Sequence, residues 1–416
     1  MQSPLSIRLD DINPNPKEKR MNIESTKEFM QPRVARLSEF LGAPLFESTL
    51  WGHEYKLDAL DPDLRQRIER QSFRKFVFYG MGCSSVVSDI VKGFFLETGV
   101  GIDVEVVNDY DTEWFVPDQT LAAEDTLVFI VCYSGWSVEP CLFYEKMKTL
   151  NGAKNLIVLT GGGKISKLAK DDGNSVIEYQ LRHADREYPL YHVQQFFSIF
   201  LDMFHKLGVI EKDYTPELED AVKYLKDTFD DAMVERARQM AHGLLDSRIV
   251  FLATAKWYTQ LLKQTTMFFN EIAMVPSHRN MLHEYSHTEV AAYSDPKQRQ
   301  AIVVLLDDED DEYTHNKVAT LEKLFGDTAV PQNRNISIWR VDLDQETFFK
   351  KFYFAHFFMV YVAFFLGKAS DVEGRDLISI AAKNPWWSQE SIEKHPRCVD
   401  IPGDLSSEIQ ESIEIV

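Results

Sequence analysis

Cysteine is scarce in this chain. Cys83, Cys132, Cys141 and Cys398 are all there are in 416 residues, and no two are spaced CxxC. No disulfide framework is legible, so a reducing, cytoplasmic setting is expected. Positive charge is also short: 45 Lys+Arg stand against 65 Asp+Glu, a net charge of −20. Sequence-independent nucleic-acid binding needs clustered Lys and Arg, so it is excluded, and without a basic recognition segment so is a DNA-binding regulator. A small anionic substrate is not excluded, because local donors rather than total charge set a site. The N-terminus, MQSPLSIRLDDINPNPKEKR, lacks the apolar stretch of a secretory signal. The most lipid-like segment, 352–366, is interrupted by His356 and too short to span a bilayer comfortably. It is read as a buried, aromatic-rich helix, and no membrane partner is expected.

What is present is a βα rhythm. Residues 1–30 are polar, and from Pro32 to Arg70 apolar residues recur at helical spacing (Val34, Leu37, Phe40, Leu41). Residues 1–70 are therefore taken as a lead-in with a helical layer. Short apolar runs then alternate with amphipathic segments. Strands are predicted over 73–79, 104–107, 126–132, 155–160 and 175–179, and again over 249–253, 301–306 and 336–341. Helices are predicted over about 84–97, up to about 150, 191–207, 216–245, 256–269, 315–325 and 345–367. Such alternation implies parallel sheets covered on both faces. The expected fold is α/β: two doubly wound subdomains, 71–212 and 213–385, in a pseudo-duplicated three-layer α/β/α arrangement, with 386–416 as a tail. The acidic run 307–312 (DDEDDE) is read as a solvated loop after a strand.

Ligands of open parallel sheets sit at the carboxyl ends of strands, near the switch in strand order. Two segments carry suitable chemistry there. One is Gly80-Met81-Gly82-Cys83-Ser84-Ser85, where small residues admit a ligand to the backbone and N–H and hydroxyl groups suit an anion. It is not GxGxxG, and it could be merely a tight βα turn. The other is Cys132-Tyr133-Ser134-Gly135-Trp136-Ser137, whose two serine hydroxyls could face one anion or could be helix caps. His283-Glu284-Tyr285-Ser286-His287 matches HExxH, the pattern of a zinc protease helix. Pro276 and Ser277 lie just upstream, and Val290 and Tyr293 occupy the downstream positions where further glycine and histidine are needed. No metal and no cofactor are expected.

Taken together, GMGCSS, CYSGWSVEP and LTGGGKISKLA resemble the sugar isomerase (SIS) domain, over roughly residues 70–385. The bifunctional phosphoglucose/phosphomannose isomerases of that superfamily carry GxGGS, SYSGNTEET, a TSGG-type turn, NENAK-x-P and PELNHNE. Here the last two become NEIAMVP (270–276) and HEYSHTE (283–289), with Glu271 and His287 16 residues apart, as in the family. The departures are Cys83 for a glycine, Cys132 for a serine, Trp136 for an asparagine, and Ser137 and Pro140 for threonines. His283 replaces a proline, and Ser286 and Thr288 replace asparagines. An indole in the anion loop suits a smaller or differently shaped anion, such as a 6-sulfonated hexose, or else it only packs while the backbone serves phosphate.

The resemblance implies an aldose–ketose isomerase acting on an anionic hexose. Gly82, Cys83, Ser84, Ser85, Tyr133, Ser134, Trp136 and Ser137 would bind the substrate. Glu271 would carry the proton between C1 and C2, and His287 would open the ring. In the family that histidine comes from the neighbouring subunit, which implies a homodimer with shared active sites. Lys383 is the candidate for a C-terminal lysine near substrate, and Arg186 for a proton-transfer arginine. A fructosamine-phosphate deglycase would use the same Glu and His. A non-catalytic sugar-phosphate sensor would keep the hydroxyl loops without needing both.

Overall fold

The computed structural model describes residues 37–370, apart from residues 58, 136, 182–188, 293–297 and 328 and the side chains of residues 189 and 332. Within that span two sheets follow one another along the chain. The first holds β1 (Tyr55–Lys56), β2 (Lys75–Tyr79), β3 (Asp103–Val107), β4 (Thr126–Cys132), β5 (Leu156–Thr160) and β6 (Ser175–Tyr179), in the order β1-β6-β5-β4-β2-β3. All its pairings are parallel except β1 with β6. The second holds β7 (Arg248–Ala253), β8 (Ser277–Met281), β9 (Gln300–Asp307) and β10 (Ile336–Leu343), in the order β10-β9-β7-β8, parallel throughout.

The sequence pattern explains the centre of each sheet. Every residue of TLVFIVC in β4 is buried, and Phe78 of β2 stacks on Phe129 of β4 at 4.9 Å. Apolar side chains on both faces need helices above and below. These are α1 (Pro62–Glu69), α2 (Cys83–Thr98), α3 (Val138–Asn151), α4 (Gly163–Asp171) and α5 (Val193–Lys206) around the first sheet. Around the second are α6 (Thr215–Thr228), α7 (Asp231–Leu244), α8 (255–271), α9 (Glu312–Gly326) and α10 (Phe348–Ala369). Helix α8 is not uniform: Ala255–Trp257 and Lys263–Glu271 are α-helical, and Tyr258–Leu262 between them is a π-turn. Helix α10 is the one helix among the described residues long and apolar enough to cross a membrane, and 83% of its apolar window is buried inside the protein. Its Phe349 and Phe352 pack against Phe197 of α5, and Phe349 also against Phe94 of α2, as a core helix does.

Two expectations are corrected. The helical layer read over 32–70 is broken in its described part. Short turns at Ala43–Glu47 and Ser48–Leu50 lead to β1, an antiparallel edge on β6, before α1 begins behind its Asp61 cap. The helical segments read over 216–245 are two helices, divided at Phe229–Asp230, where the Asp230 carboxylate accepts from Met233 N and starts α7. The acidic run is not simply a solvated loop. Asp307 closes β9 with 1% exposure, and it accepts hydrogen bonds from Lys351 Nζ (2.5 Å) and Trp257 Nε1 (2.7 Å). Asp308 and Glu309 are exposed, and Asp311 caps α9 by accepting from Thr314 N.

Candidate functional site

In the first sheet the strand order reverses between β2 and β4: the chain leaves β2 for β3 on one side and returns to β4 on the other. A crevice at the carboxyl ends of those two strands is where such sheets hold ligands. The turn after β2 is pressed into place there. A Cβ on Gly80 would lie 2.7 Å from the Val131 carbonyl oxygen of β4, so a side chain is excluded. The loops after β4 and β5 are laced together by Gly161 N donating to Tyr133 O (2.9 Å) and Ile165 N donating to Gly135 O (3.1 Å). Gly135 has φ of +70°, and a Cβ there would meet Gly162 O at 1.9 Å. Glycine satisfies both constraints at once.

Helices α2, α3 and α4 therefore all begin at this edge. Their N-caps are Gly82, Ser137 and Gly162, and none makes a side-chain capping bond. The N–H groups of Ser84, Ser85 and Ile165 already donate to Met81 O, Gly82 O and Gly135 O, so the affinity of this edge for anions rests on the aligned helix dipoles and the other first-turn N–H groups. Of the candidate binders, Ser85 turns its hydroxyl back onto Gly82 O (2.9 Å), whereas buried Ser84 makes no side-chain hydrogen bond among the described residues. Ser134 is exposed, its Oγ 3.9 Å from Cys132 Sγ. Ser137 sits at the start of α3 without capping it, which removes the helix-cap reading for that hydroxyl. Trp136 lies outside the described residues, as do Arg186 and Lys383.

Cys132 opens the second of the two loop segments but is not among the residues expected to bind substrate. Burial pushes its thiol up, and the N–H groups of Ser137 and Gly135 with the hydroxyls of Ser134 and Ser137 pull the other way. The donors of this turn thus gather around one sulfur. Below it the buried Tyr179 hydroxyl, which has no hydrogen bond among the described residues, is held well above the usual phenol range by burial, with Cys83, Cys132 and Tyr133 around it. Cys83 and Cys132, from two different loops, thereby border the same spot. No periodicity or motif could have signalled Tyr179, which is simply the last residue of β6.

Glu271 ends α8 and is exposed. Helix dipoles disfavour a carboxylate at that end, so the position needs a reason other than helix stability. Its charge reaches the first turn of α2: burial, and then the Glu271 carboxylate, push the Cys83 thiol up. Helix α8 runs antiparallel to α2 along a close contact. Lys263 Nζ donates to Asp89 at 2.5 Å, and a Cβ on Gly93 would meet Gln260 Cγ at 2.2 Å. The pairs 93/260 and 89/263 continue to 83/271, which brings Glu271 to the Gly82-Cys83-Ser84 turn. His287 is not joined to Glu271 by any hydrogen bond or ion pair among the described residues. Glu271 precedes the amino end of β8 and His287 follows its carboxyl end, and the strand itself is five residues, about 13 Å, long. His287 is exposed, on a segment that folds back so that Glu289 accepts from Asn280 (2.9 Å) and contacts His278 (3.0 Å).

The HExxH segment does not form the helix a zinc site needs. Its helical part, Leu282–Tyr285, is four residues long, and His283 stacks on Tyr313 with Nε2 3.2 Å from Thr314 Oγ1. Among the described residues no cluster of three or more His, Cys, Asp or Glu is arranged to hold a metal.

If Ser84 and Ser137 hold an anion, each loses a charge-assisted hydrogen bond on change to Ala. That is worth about 1.5–3 kcal/mol, or roughly ten- to hundredfold in KM. Steady-state kinetics should find this rise for Ser84→Ala and Ser137→Ala, whereas Ser85→Ala, whose hydroxyl already serves Gly82, should move KM by less.

Comparison with known proteins agrees with this architecture. Residues 233–382 match the bacterial phospho-glucose isomerase C-terminal SIS domain. A bifunctional phosphoglucose/phosphomannose isomerase of Aquifex aeolicus is 27% identical over 62% of this chain and 75% of its own length. A D-glucosamine-6-phosphate 4-epimerase of Sulfolobus acidocaldarius is 24% identical over 58% of this chain and 71% of its own. The C-terminal domain of glucosamine-fructose-6-phosphate aminotransferase from Francisella tularensis superposes with a TM-score of 0.58 at 13% identity, covering 83% of this chain and 98% of that one. The chain thus shares the α/β fold of that structure, matches the bacterial phospho-glucose isomerase C-terminal SIS domain over residues 233–382, and resembles the bifunctional phosphoglucose/phosphomannose isomerases.

Proposed function

We propose that this protein is a phosphosugar aldose–ketose isomerase, with a hexose 6-phosphate as substrate. One observation carries the reading: a carboxylate, Glu271, ends a helix of the second subdomain beside the turn where α2 begins, at the edge shared by three uncapped helix N-termini. An anion held by those N-termini fixes one end of a sugar and leaves the other for the carboxylate. The activities named for its isomerase relatives support the same choice. Glu271 takes the C2 proton of the open-chain aldose, becoming a neutral carboxyl and leaving an enediolate. A proton moves from O2 to O1, and Glu271 returns its proton to C1, so that atoms and charge balance. His287 opens the ring by moving a proton between the anomeric hydroxyl and the ring oxygen. It reaches the site from a second copy of the chain, which fits Glu271 and His287 flanking opposite ends of β8 in one chain and makes the enzyme a homodimer.

The test is a substrate panel assayed in EDTA: glucose, mannose, fructose and glucosamine 6-phosphates, fructosamine 6-phosphate, and 6-sulfonated hexoses. Interconversion of a 6-phosphohexose with its ketose, at kcat/KM above about 10⁴ M⁻¹s⁻¹, is the expected result. Amine release from fructosamine 6-phosphate would replace the isomerase by a deglycase. Turnover of a sulfonated hexose alone would make Trp136 the residue that excludes phosphate. Loss of hydrogen from C2 with no member of the panel would end the reading. Shared sites have their own signature. Glu271→Gln and His287→Ala should each be inactive alone, and re-equilibrated as a mixture they should regain about a quarter of wild-type activity, because half the dimers then carry one intact site.

A further inference from the structure

The interruption in α8 goes beyond the reaction itself. A π-turn accommodates one residue more than the α-helix around it, so it shifts the phase of everything that follows. At about 100° per residue, Glu271, 14 positions after Trp257, would in an unbroken α-helix lie within about 40° of the Trp257 direction. With one residue absorbed by Tyr258–Leu262, Glu271 and Lys263 both come within about 40° of the opposite side. The two halves of α8 need different faces. The first is tied to the second sheet, where Trp257 Nε1 donates to Asp307 and its ring stacks on Phe348 of α10. Lys256 of that half also reaches Glu97 of α2 (3.3 Å), Gln260 in the turn itself lies against Gly93, and the second half is tied to α2 by Lys263 on Asp89.

Resting on the isomerase reading, we infer that the π-turn Tyr258–Leu262, with the Lys263–Asp89 pair, is the device that turns Glu271 from the second sheet to the Gly82-Cys83-Ser84 turn. Lys263 and Asp89 are positioning residues, since neither touches the place the sugar would occupy. Their pair is sheltered, with side-chain exposures of 14% and 15%, and Arg279 and Lys92 add positive charge near Asp89. Gly93 sets how closely the helices approach, because any side chain there would displace Gln260. A π-turn is commonly found at functional sites for this reason: a one-residue insertion re-aims a side chain without unravelling the helix.

The test compares deletion of Thr259, which restores an unbroken helix, with Lys263→Met and Lys263→Arg. In the deletion variant kcat for glucose 6-phosphate should fall at least about a hundredfold, while binding of 6-phosphogluconate by calorimetry stays within about threefold. Lys263→Met should lower kcat about tenfold with KM little changed, and Lys263→Arg should recover most of it, which a merely stabilising pair would not do. A folded deletion variant with kcat within about threefold of wild type overturns the inference. If the deletion variant does not fold, an unchanged kcat in Lys263→Met overturns it instead. The pH dependence of Cys83 alkylation supplies a readout independent of turnover. Glu271→Gln should lower its midpoint, and deletion of Thr259 should lower it as much. If the wild type isomerises nothing while both variants shift Cys83 together, the positioning stands and the isomerase reading falls. If the deletion leaves Cys83 titrating as in wild type, the positioning falls whatever the substrate.

Discussion

Glu271→Gln should reduce kcat by about 10²–10⁴, roughly 3–5 kcal/mol of barrier, while leaving ligand affinity within a few-fold of wild type. The amide keeps the size and planarity of the carboxylate but cannot accept a proton from carbon at neutral pH. If the anion is held elsewhere, as proposed, by the N-termini of α2, α3 and α4, binding should survive. Hydrogen loss from C2 in deuterated water isolates the step, because it reports proton abstraction whether or not the product is released. Removing the Glu271 charge should also lower the Cys83 thiol from its raised value, showing in the same variant that the carboxylate stands where the chemistry needs it. Exchange at C2 within about tenfold of wild type would leave Glu271 as an ordinary surface carboxylate at a helix end.

The parts of the fold that were legible in the sequence are those whose side chains decide locally. Strands such as TLVFIVC and NLIVLT advertise burial on both faces, and each was located to within a residue or two. The glycine- and serine-bearing turns after β2 and β4 were legible because such residues between an apolar run and a helix mark a strand end. Strand β8 was not. Its SHRNM lies at the sheet edge with every residue half-buried or exposed, held by backbone pairing to β7 and by the Asn270 side chain accepting from Ser277 N. The π-turn was invisible for a different reason: α and π segments draw on the same residues, and the choice is made by partners such as Asp307 and Asp89, distant in sequence. The candidate site divides in the same way. Ser84 and Ser137 could be proposed from their own neighbours, but the facing of Glu271 toward Cys83 depends on two helices meeting. Asp307 was misread for the same cause, since its compensating charge lies 44 residues downstream.

That compensating charge should dominate the stability of the second sheet. Lys351, on α10, has a side-chain exposure of 3%, and its ammonium lies against Asp307, exposed 1%, and Asp308. Asp307 also accepts from Trp257 Nε1 and from Glu309 N, and Lys256 stands 3.5 Å away. Burial alone would raise the Asp307 carboxyl, but its bonds to Lys351, Glu309 and Trp257 outweigh that and hold it below the usual carboxylate range. Burial likewise works to lower Lys351, and Asp307 and Asp308 outweigh it, raising the ammonium above its usual value. Lys351→Met keeps most of the side-chain volume and strands a buried carboxylate, which should cost about 3–5 kcal/mol in urea unfolding at pH 7. Exposed Asp308 and Glu309 add little to that figure, because water screens them. The double variant Asp307→Asn/Lys351→Met removes both charges together, so it should lose clearly less than Lys351→Met alone. The sign with pH follows from the two directions. Asp307, depressed in the fold, contributes fully above its unfolded value near about 3.9, and that contribution is lost as pH falls through the lower folded value. Lys351, raised in the fold, contributes fully below about 10.4 and loses that contribution only as pH rises through its higher folded value. The gap between wild type and Lys351→Met should therefore be widest around neutral pH and narrow in acid, below about pH 4. A loss under about 1 kcal/mol at pH 7 would mean that water reaches Asp307 and that the pair behaves like a surface ion pair.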